Sequence, residues 1–316
     1  MRILLLGANG QLGRTFLDHG GLAARGTLIA ATRDGLLSDG GYGEIADLAA
    51  PERLPALLDR VQPDVIVNAA AYTAVDRAEQ QEALATRING DAVGALGAWA
   101  AARGALVVHY STDYVFDGAQ PQPYATDAPA APLGAYGRSK LAGEQALRGS
   151  GADHLTFRTA WVYAAHGQNF LRTMLRLGGE REELRVVADQ HGAPTDTRLI
   201  VRGSLAALDR WQQGDATQRR QLGGTHHLVA SGATTWHGFA SAIVEQAAAR
   251  KLITRAPRVV PIDSAEFPTP AVRPAWSLLD NSGFQQRFAF PLPDWREGLA
   301  EVIAELAGQT GKALAR

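Results

Sequence analysis

No cysteine occurs anywhere in the chain, which removes disulfide frameworks, thiolate catalysis, Cys-ligated zinc and iron–sulfur clusters together. Net charge is nearly absent as well: 31 Lys and Arg face 32 Asp and Glu, a formal balance of -1. A phosphate backbone selects a basic stripe, and none is present, so no nucleic-acid partner is expected. No apolar run approaches the ~20 residues that span a bilayer, so no membrane association is expected. The apolar stretch after Met1 is also shorter than the ~7–15 residues of a signal-peptide core, which points to a cytoplasmic protein. Metal-binding patterns are missing too. His109, His191, His226, His227 and His237 lack HExxH spacing and a completing carboxylate pair. The segment holding Asp39, Gly40, Gly41 and Gly43 looks flexible but has no calcium-loop pattern. No metal is expected.

What the chain does contain is ample core: 46% of its 316 residues are hydrophobic. At ~150 residues per domain, this length fits two domains, or one large unit with an appended lobe. Short apolar runs at residues 3–6, 28–31, 64–68, 105–110 and 154–158 alternate with helical spacing. That alternation predicts a parallel sheet wrapped by helices. The spacing predicts helices over 11–19 and 54–61, one unbroken helix over 76–103, and another from Tyr136. Beyond Trp161 the pattern weakens, with helices expected at 169–177, 196–211, 236–249 and 293–307, and an irregular proline-rich loop at 257–274.

Gly7, Gly10 and Gly13 follow the first strand and open the first helix. Glycine there permits a tight turn, lets a pyrophosphate approach the helix N-terminus, and lets Gly13 pack against the sheet. The acidic residue that grips an NAD ribose belongs at the end of strand two, where this chain has Thr32 followed by Arg33. A guanidinium there suits a 2′-phosphate, so NADPH is the expected cofactor, with NADH also accepted. The alternative leaves Arg33 solvated and gives the ribose role to Asp34. The fold expected is α/β, a Rossmann-type doubly wound parallel sheet with a smaller C-terminal α/β substrate lobe. Residues 1–160 form the dinucleotide domain, joined by a strand or helix from about 184–230, and residues 161–316 mainly bind substrate.

Tyr136 and Lys140 stand four apart and share one helix face. A neighbouring cation lowers a phenol's pKa and makes Tyr136 a proton donor. Ser111-Thr112-Asp113 ends a strand 24 residues before Tyr136, and ligands bind off the carboxyl ends of such strands. A surface Tyr–Lys pair and a local backbone cap are the plainer alternatives.

Residues 7–13, Asn68-Ala69-Ala70-Ala71, Ser111-Thr112-Asp113-Tyr114-Val115-Phe116 and residues 136–140 together resemble the extended short-chain dehydrogenase/reductases. The strings NAAAYTAVDRAE (68–79), HYSTDYVFD (109–117), RTAWVY (158–163), NFLRTMLRL (169–177), DQHGAPT (189–195) and HLVASGATTW (227–236) are similar, more narrowly, to the dTDP-4-dehydrorhamnose reductase family.

The resemblance implies that Gly10, Gln11 and Leu12 face the cofactor pyrophosphate and that Asp47 and Leu48 border the adenine. It places Ala71, Tyr72 and Thr73 near the nicotinamide side, adds Tyr110 to the cofactor set, and makes Thr112, Tyr136 and Lys140 the catalytic group. Asp113 and Trp161 would touch the sugar, and Asn169 and Arg273 the nucleotide diphosphate. Core packing for Trp161, capping for Asp47 and Asn169, and a solvated loop charge for Arg273 stay open from the residues alone. The implied reaction reduces the C4 keto group of a sugar nucleotide, with Tyr136 as acid, Thr112 bonding the carbonyl oxygen, and Lys140 holding Tyr136 at low pKa. Another sugar-nucleotide reductase or epimerase, and a non-catalytic NADP-binding regulatory subunit, stay open as alternatives. Some relatives dimerise through magnesium held by glutamates; the matching positions here are Thr15, Arg198 and Arg296, with Glu297 adjacent. A monomer or a metal-independent homodimer is therefore expected.

Overall fold

The computed structural model describes residues 1–314, and side chains through residue 309. Seven parallel strands form the central sheet: β1 (Arg2–Leu6), β2 (Thr27–Thr32), β3 (Glu44–Ile45), β4 (Val65–Asn68), β5 (Leu106–Thr112) and β6 (His154–Thr159), with one late strand beside β6. The short strands β7 (Val162–Tyr163), β8 (Glu183–Val187), β9 (His191–Gly192) and β10 (Thr195–Asp196) intervene before that late strand, β11 (Gly224–His227). The order β11-β6-β5-β4-β1-β2-β3 reverses between β1 and β4, which opens the crevice where doubly wound sheets bind ligands.

Strand alternation explains the two layers. Ile3, Leu5, Val65 and Val67 point to one face, and Leu4, Leu6 and Ile66 to the other, so β1 and β4 at the centre are apolar on both sides. The second face is covered by α2 (Leu54–Val61) and, later in the chain, α5 (Ala92–Arg103). On the first face lie α1 (Gln11–His19) and α8 (Thr197–Gln213), joined by a Thr15 to Thr197 hydroxyl bond of 2.8 Å.

The helix expected over 76–103 is not continuous. It consists of α3 (Val75–Ala78), a turn, α4 (Glu82–Thr86), a π-turn (Arg87–Asp91) and α5. The break has a tertiary cause: the Glu79 carboxylate accepts from the Ala135 amide (2.8 Å), at the start of α6 (Ala135–Gly149). Residues 257–274 are also not wholly irregular. Beyond α7 (Phe170–Glu180), α9 (Ala216–Leu222), β12 (Thr234–Thr235) and α10 (Trp236–Ala249), strand β13 (Arg258–Ile262) runs parallel to β8. The chain ends in α11 (Ser282–Phe288) and α12 (Trp295–Leu314). Instead of a loose loop, residues 36–42 make a small hairpin, closed by Leu37 N–H to Gly41 O (2.9 Å) and a Leu36–Tyr42 bridge. Among the described residues no helix is long and apolar enough to cross a membrane.

Candidate active site

The glycine turn stands at the carboxyl end of β1. A Cβ at Gly13 would strike the Gly7 carbonyl, so only glycine lets α1 lie against the turn. At Gly10 a Cβ would meet nothing but that same carbonyl, at 3.2 Å, which leaves a bare backbone face outward. No side chain caps α1 and no acid occupies its first turn. Its N-terminal amides therefore suit an anion, and a dinucleotide pyrophosphate fits this cradle. Gln11 is fixed from the far side by Asn169, whose Nδ2 donates to Gln11 Oε1 at 2.7 Å. Leu12 packs against the core.

At the end of β2, Thr32 is buried, and its hydroxyl turns inward to the Leu36 carbonyl (3.1 Å) and Asp34 (3.2 Å). In this state the Thr32 hydroxyl hydrogen is engaged within the hairpin turn. Arg33 is exposed and makes no hydrogen bond or ion pair among the described residues. Asp47 accepts from the Ala49 amide (3.0 Å), a local cap, and Leu48 is buried beside it.

Beyond β4, Ala71 and Tyr72 are half-buried and Thr73 is exposed. The segment is clamped by a residue that the sequence reading missed. Asn89, turned inward by the π-turn, accepts from Tyr72 N–H (2.8 Å) and donates to Tyr72 O (3.0 Å) and to Ser139 Oγ (2.9 Å). The Asn-Gly pair at 89–90 inside an Ala-rich helix was the available signal.

Helix α6 carries the Tyr–Lys pair. A Cβ at Gly137 would strike the Tyr114 carbonyl, so glycine brings the helix onto the turn that follows β5. This seats the half-buried Tyr136 edge-on to Tyr114, with ring centroids 5.8 Å apart. Burial raises the Tyr136 phenol above the usual range, and the Asp113 carboxylate raises it further; the Thr112 hydroxyl pulls it partly back. Lys140 is not among those causes. Its ammonium, 2% exposed, donates to the Tyr110 carbonyl at 2.6 Å, so the expected lowering of the phenol by the lysine is not found in this state. Burial pushes Lys140 itself down to about 8, with Glu144 acting in the opposite sense. Glu144 is in turn held by Arg158 in a buried pair, Nη2 to Oε2 2.7 Å and Nε to Oε1 2.9 Å.

Thr112 closes β5. Its oxygen accepts from Tyr114 N–H (3.2 Å) and its hydrogen goes to Asp113 Oδ1 (2.8 Å). In this state the hydroxyl is therefore spent on Asp113 and not free for a carbonyl. Asp113 is 3% exposed, and burial pushes its carboxyl up to about 6; Oδ2 has no partner among the described residues.

Four implied contacts take a different form. The Tyr110 side chain points into the core, bonded to Ser204 (2.8 Å) between Phe16 and Phe157, so only its carbonyl faces Lys140. Trp161 cannot present a flat face to a sugar. One face stacks on Trp236 at 3.5 Å, and a Cβ at Gly192 would sit over the indole, 2.7 Å from both Nε1 and Cζ2. Trp161 also holds φ 49, a strained value for a bulky residue. Asn169 caps α7 by accepting from Arg172 N–H (3.0 Å), and Nδ2 is used by Gln11, Ala164 and His166. Arg273 pairs with Asp76 (2.9 and 3.1 Å) and reaches the Tyr114 hydroxyl at 3.4 Å, so it adjoins the site already engaged.

Comparison with known proteins agrees with this geometry. A family model described as the RmlD substrate binding domain matches residues 1–307. The dTDP-4-dehydrorhamnose reductase of Burkholderia thailandensis is 47% identical over 98% of this chain and 100% of its own. That of Escherichia coli K12 is 42% identical over 97% and 98%. The crystal structure of a dTDP-4-dehydrorhamnose reductase from Clostridium acetobutylicum superposes with a TM-score of 0.84 at 34% identity, covering 97% of this chain and 99% of that one. The Bacillus anthracis enzyme, solved in complex with NADP, gives 0.82 at 31% identity, covering 96% and 99%. A cradle for a dinucleotide, a Tyr–Lys helix face at the carboxyl end of β5 and relatives matched end to end converge: the chain belongs to the RmlD substrate-binding-domain family, that of the dTDP-4-dehydrorhamnose reductases.

Proposed function

We propose that this chain reduces the C4 keto group of dTDP-4-dehydro-L-rhamnose to give dTDP-L-rhamnose, with NADPH as reductant. The bound nicotinamide supplies the hydride. The chain supplies orientation and the proton. Tyr136 donates its phenolic proton to the C4 oxygen. Thr112 exchanges its bond to Asp113 for one to that oxygen as charge develops there, a donor worth ~3–4 kcal/mol in comparable sites. Lys140 stands behind Tyr136 to bond a ribose hydroxyl and to stabilise the phenolate left after transfer. The single observation that supports this best is the half-buried Tyr136 beside Thr112 at the carboxyl end of β5.

In this reading residues 1–160, with the strand at 224–227, hold the dinucleotide, and residues 161–316 mainly cover the sugar nucleotide. Arg273 would release Asp76 to meet the diphosphate. The protein works in the cytoplasm as a monomer or a homodimer that needs no metal. The test is NADPH oxidation with enzymatically prepared dTDP-4-dehydrorhamnose, with the product sugar identified by NMR. Turnover to dTDP-L-rhamnose is expected. Absence of NADPH oxidation, or a product epimerised without reduction, overturns the assignment.

A further inference from the structure

A cavity of about 610 Å³ opens between the end of α8, α9 and α11. Gly214 and Leu222 both line it, and they bracket α9 on the way from α8 to β11. There β11 enters the sheet parallel to β6, with Gly224 beside Leu155. The cavity thus stands at the amino ends of these strands, whereas the glycine turn and Thr112 stand at the carboxyl ends of theirs. A molecule held in it is neither the cofactor nor the sugar being reduced.

Two cations line the cavity and no acid does. Arg210 lies in the last turn of α8 and Arg287 in the last turn of α11. Both are exposed, and neither makes a hydrogen bond or ion pair among the described residues. A cation at a helix end ordinarily serves the carbonyls of its own last turn. At the end of α8 Arg219 already does so, its Nε and Nη2 donating to the Trp211 and Gln212 carbonyls at 3.2 and 3.1 Å. The acids nearest in sequence are also engaged: Asp209 pairs with Arg25, and Asp215 accepts from the Thr217 and Gln218 amides at 2.8 and 2.9 Å. That cap also orients the Gln218 side chain, whose Oε1 accepts from Asp215 N–H at 2.9 Å and leaves its amide hydrogens unused. Gln213 and Gln221 add two further side-chain amides to the lining.

We infer that this cavity is a second ligand site, built for a phosphate-bearing anion. Two guanidinium forks from different helices, with side-chain amide donors between them, match the several acceptor oxygens of a phosphate or diphosphate. The volume falls within the ~300–1,000 Å³ of small-molecule sites, so the phosphate may belong to a free anion or to a nucleotide carrying it. The geometry that supports the inference is the convergence of two unpaired arginines on one cavity that no carboxylate lines. It is independent of the function proposed above.

The experiment is calorimetric titration of the full chain with inorganic diphosphate and, separately, with adenosine 5′-monophosphate, in EDTA and with saturating NADPH to fill the crevice. One diphosphate per chain is expected. Arg210→Ala and Arg287→Ala are each expected to raise its dissociation constant about tenfold, the size of one lost charge-assisted bond. Arg250→Ala, an exposed arginine at the end of α10, should leave it unchanged. Added sodium chloride should weaken binding, as screening requires. At exposed positions these changes should not disturb folding, which circular dichroism checks. Tighter binding of the monophosphate than of diphosphate, lost in the same variants, supports the site and makes a nucleotide the source of the anion; the reverse order supports it with a free anion. A wild-type chain that takes up neither probe overturns the inference. So does an affinity within twofold of wild type in the Arg210→Ala/Arg287→Ala double variant.

Discussion

For Tyr136 the question is which protonation state the phenol keeps before the sugar arrives. Burial and the Asp113 carboxylate both favour the neutral form, so the proton is present when a keto oxygen approaches. Tyr136→Phe removes that proton and keeps the ring, and turnover is expected to fall ~10²–10⁴-fold while NADPH still binds. Near-wild-type turnover in steady-state assays would rule Tyr136 out as the acid. Asp113 bears the opposite cost. Its carboxyl is raised from 3.8 to about 6, so the folded state binds more protons than the unfolded state between those pH values. Stability therefore falls as pH rises through that window, and the cost is fully present above it. Asp113→Asn keeps an acceptor for Thr112 and removes the buried charge, so it should stabilise the protein by about 3 kcal/mol at pH 8. Urea melts at pH 4 and pH 8 check this: the gain should be small at the first and large at the second. Arg33 is the residue expected to discriminate between cofactors. NADPH is expected to be preferred over NADH about tenfold, ~1.4 kcal/mol, and Arg33→Ala should erase the preference. Equal kcat/KM for the two cofactors in the wild type would reject that role.

At the scale of elements, α6 does most of the positioning, because Tyr136, Lys140 and Glu144 repeat every four residues along one face. Glu144 holds Arg158 bidentately in a nearly solvent-free site, and Arg158 also donates to the Thr126 carbonyl (3.1 Å). Glu144→Gln strands the guanidinium, which costs about 3–5 kcal/mol in comparable buried pairs. It also removes the charge that lifts Lys140, so the lysine should titrate below about 8. Chemical denaturation and the alkaline limb of the pH–rate profile read the two effects separately; unchanged stability would argue against the pair. Elements of this kind were legible where the signal is local: the glycine turn, the apolar strands and the Tyr–Lys spacing all stand as expected. What was not legible depends on partners distant in sequence. The break before α4 exists because Glu79 serves α6, 56 residues on. The ring of Trp161 is taken by Trp236, which no pattern near Trp161 announces. Tyr110 lies on a strand buried on both faces, so alternation there does not say which face meets the cofactor. Thr32 looked open to a ribose because its bond to Leu36 forms only once the hairpin folds back.

Over the whole molecule, α1, α8 and α12 come together on one side of the sheet, and their charges bear on assembly. Arg198 pairs with Glu305 at 2.8 Å and lies 3.8 Å from Glu301, and Arg202 meets Glu301 at 3.2 Å. Thr15 donates to the Gln11 carbonyl and its oxygen shares a hydroxyl–hydroxyl bond with Thr197, both at 2.8 Å. Arg296 pairs with Asp294 (3.1 Å) and lies over the Trp295 ring. These are the positions that the resemblance drawn from the sequence matches to the carboxylates of a magnesium-bridged dimer. Glu301, Glu305 and Asp294 beside them already neutralise arginines. Magnesium requires hard oxygen ligands in octahedral array and surrenders its water reluctantly, so a site bordered by guanidinium groups is a poor competitor for it. Among the described residues no cluster of three His, Asp or Glu side chains is arranged to hold a metal ion. Glu297, in the first turn of α12, and Asp196, the cap of α8, are neighbouring acids without an ion pair among the described residues; Asp196 is already engaged by the Arg198 and Leu199 amides, and one remaining carboxylate does not make a magnesium bridge. The expected outcome is a light-scattering mass, monomer or dimer, that is the same in magnesium and in EDTA, with activity equally unaffected. A shift from one chain to two on adding magnesium would mean that the arginines move aside and that their pairing here does not govern assembly.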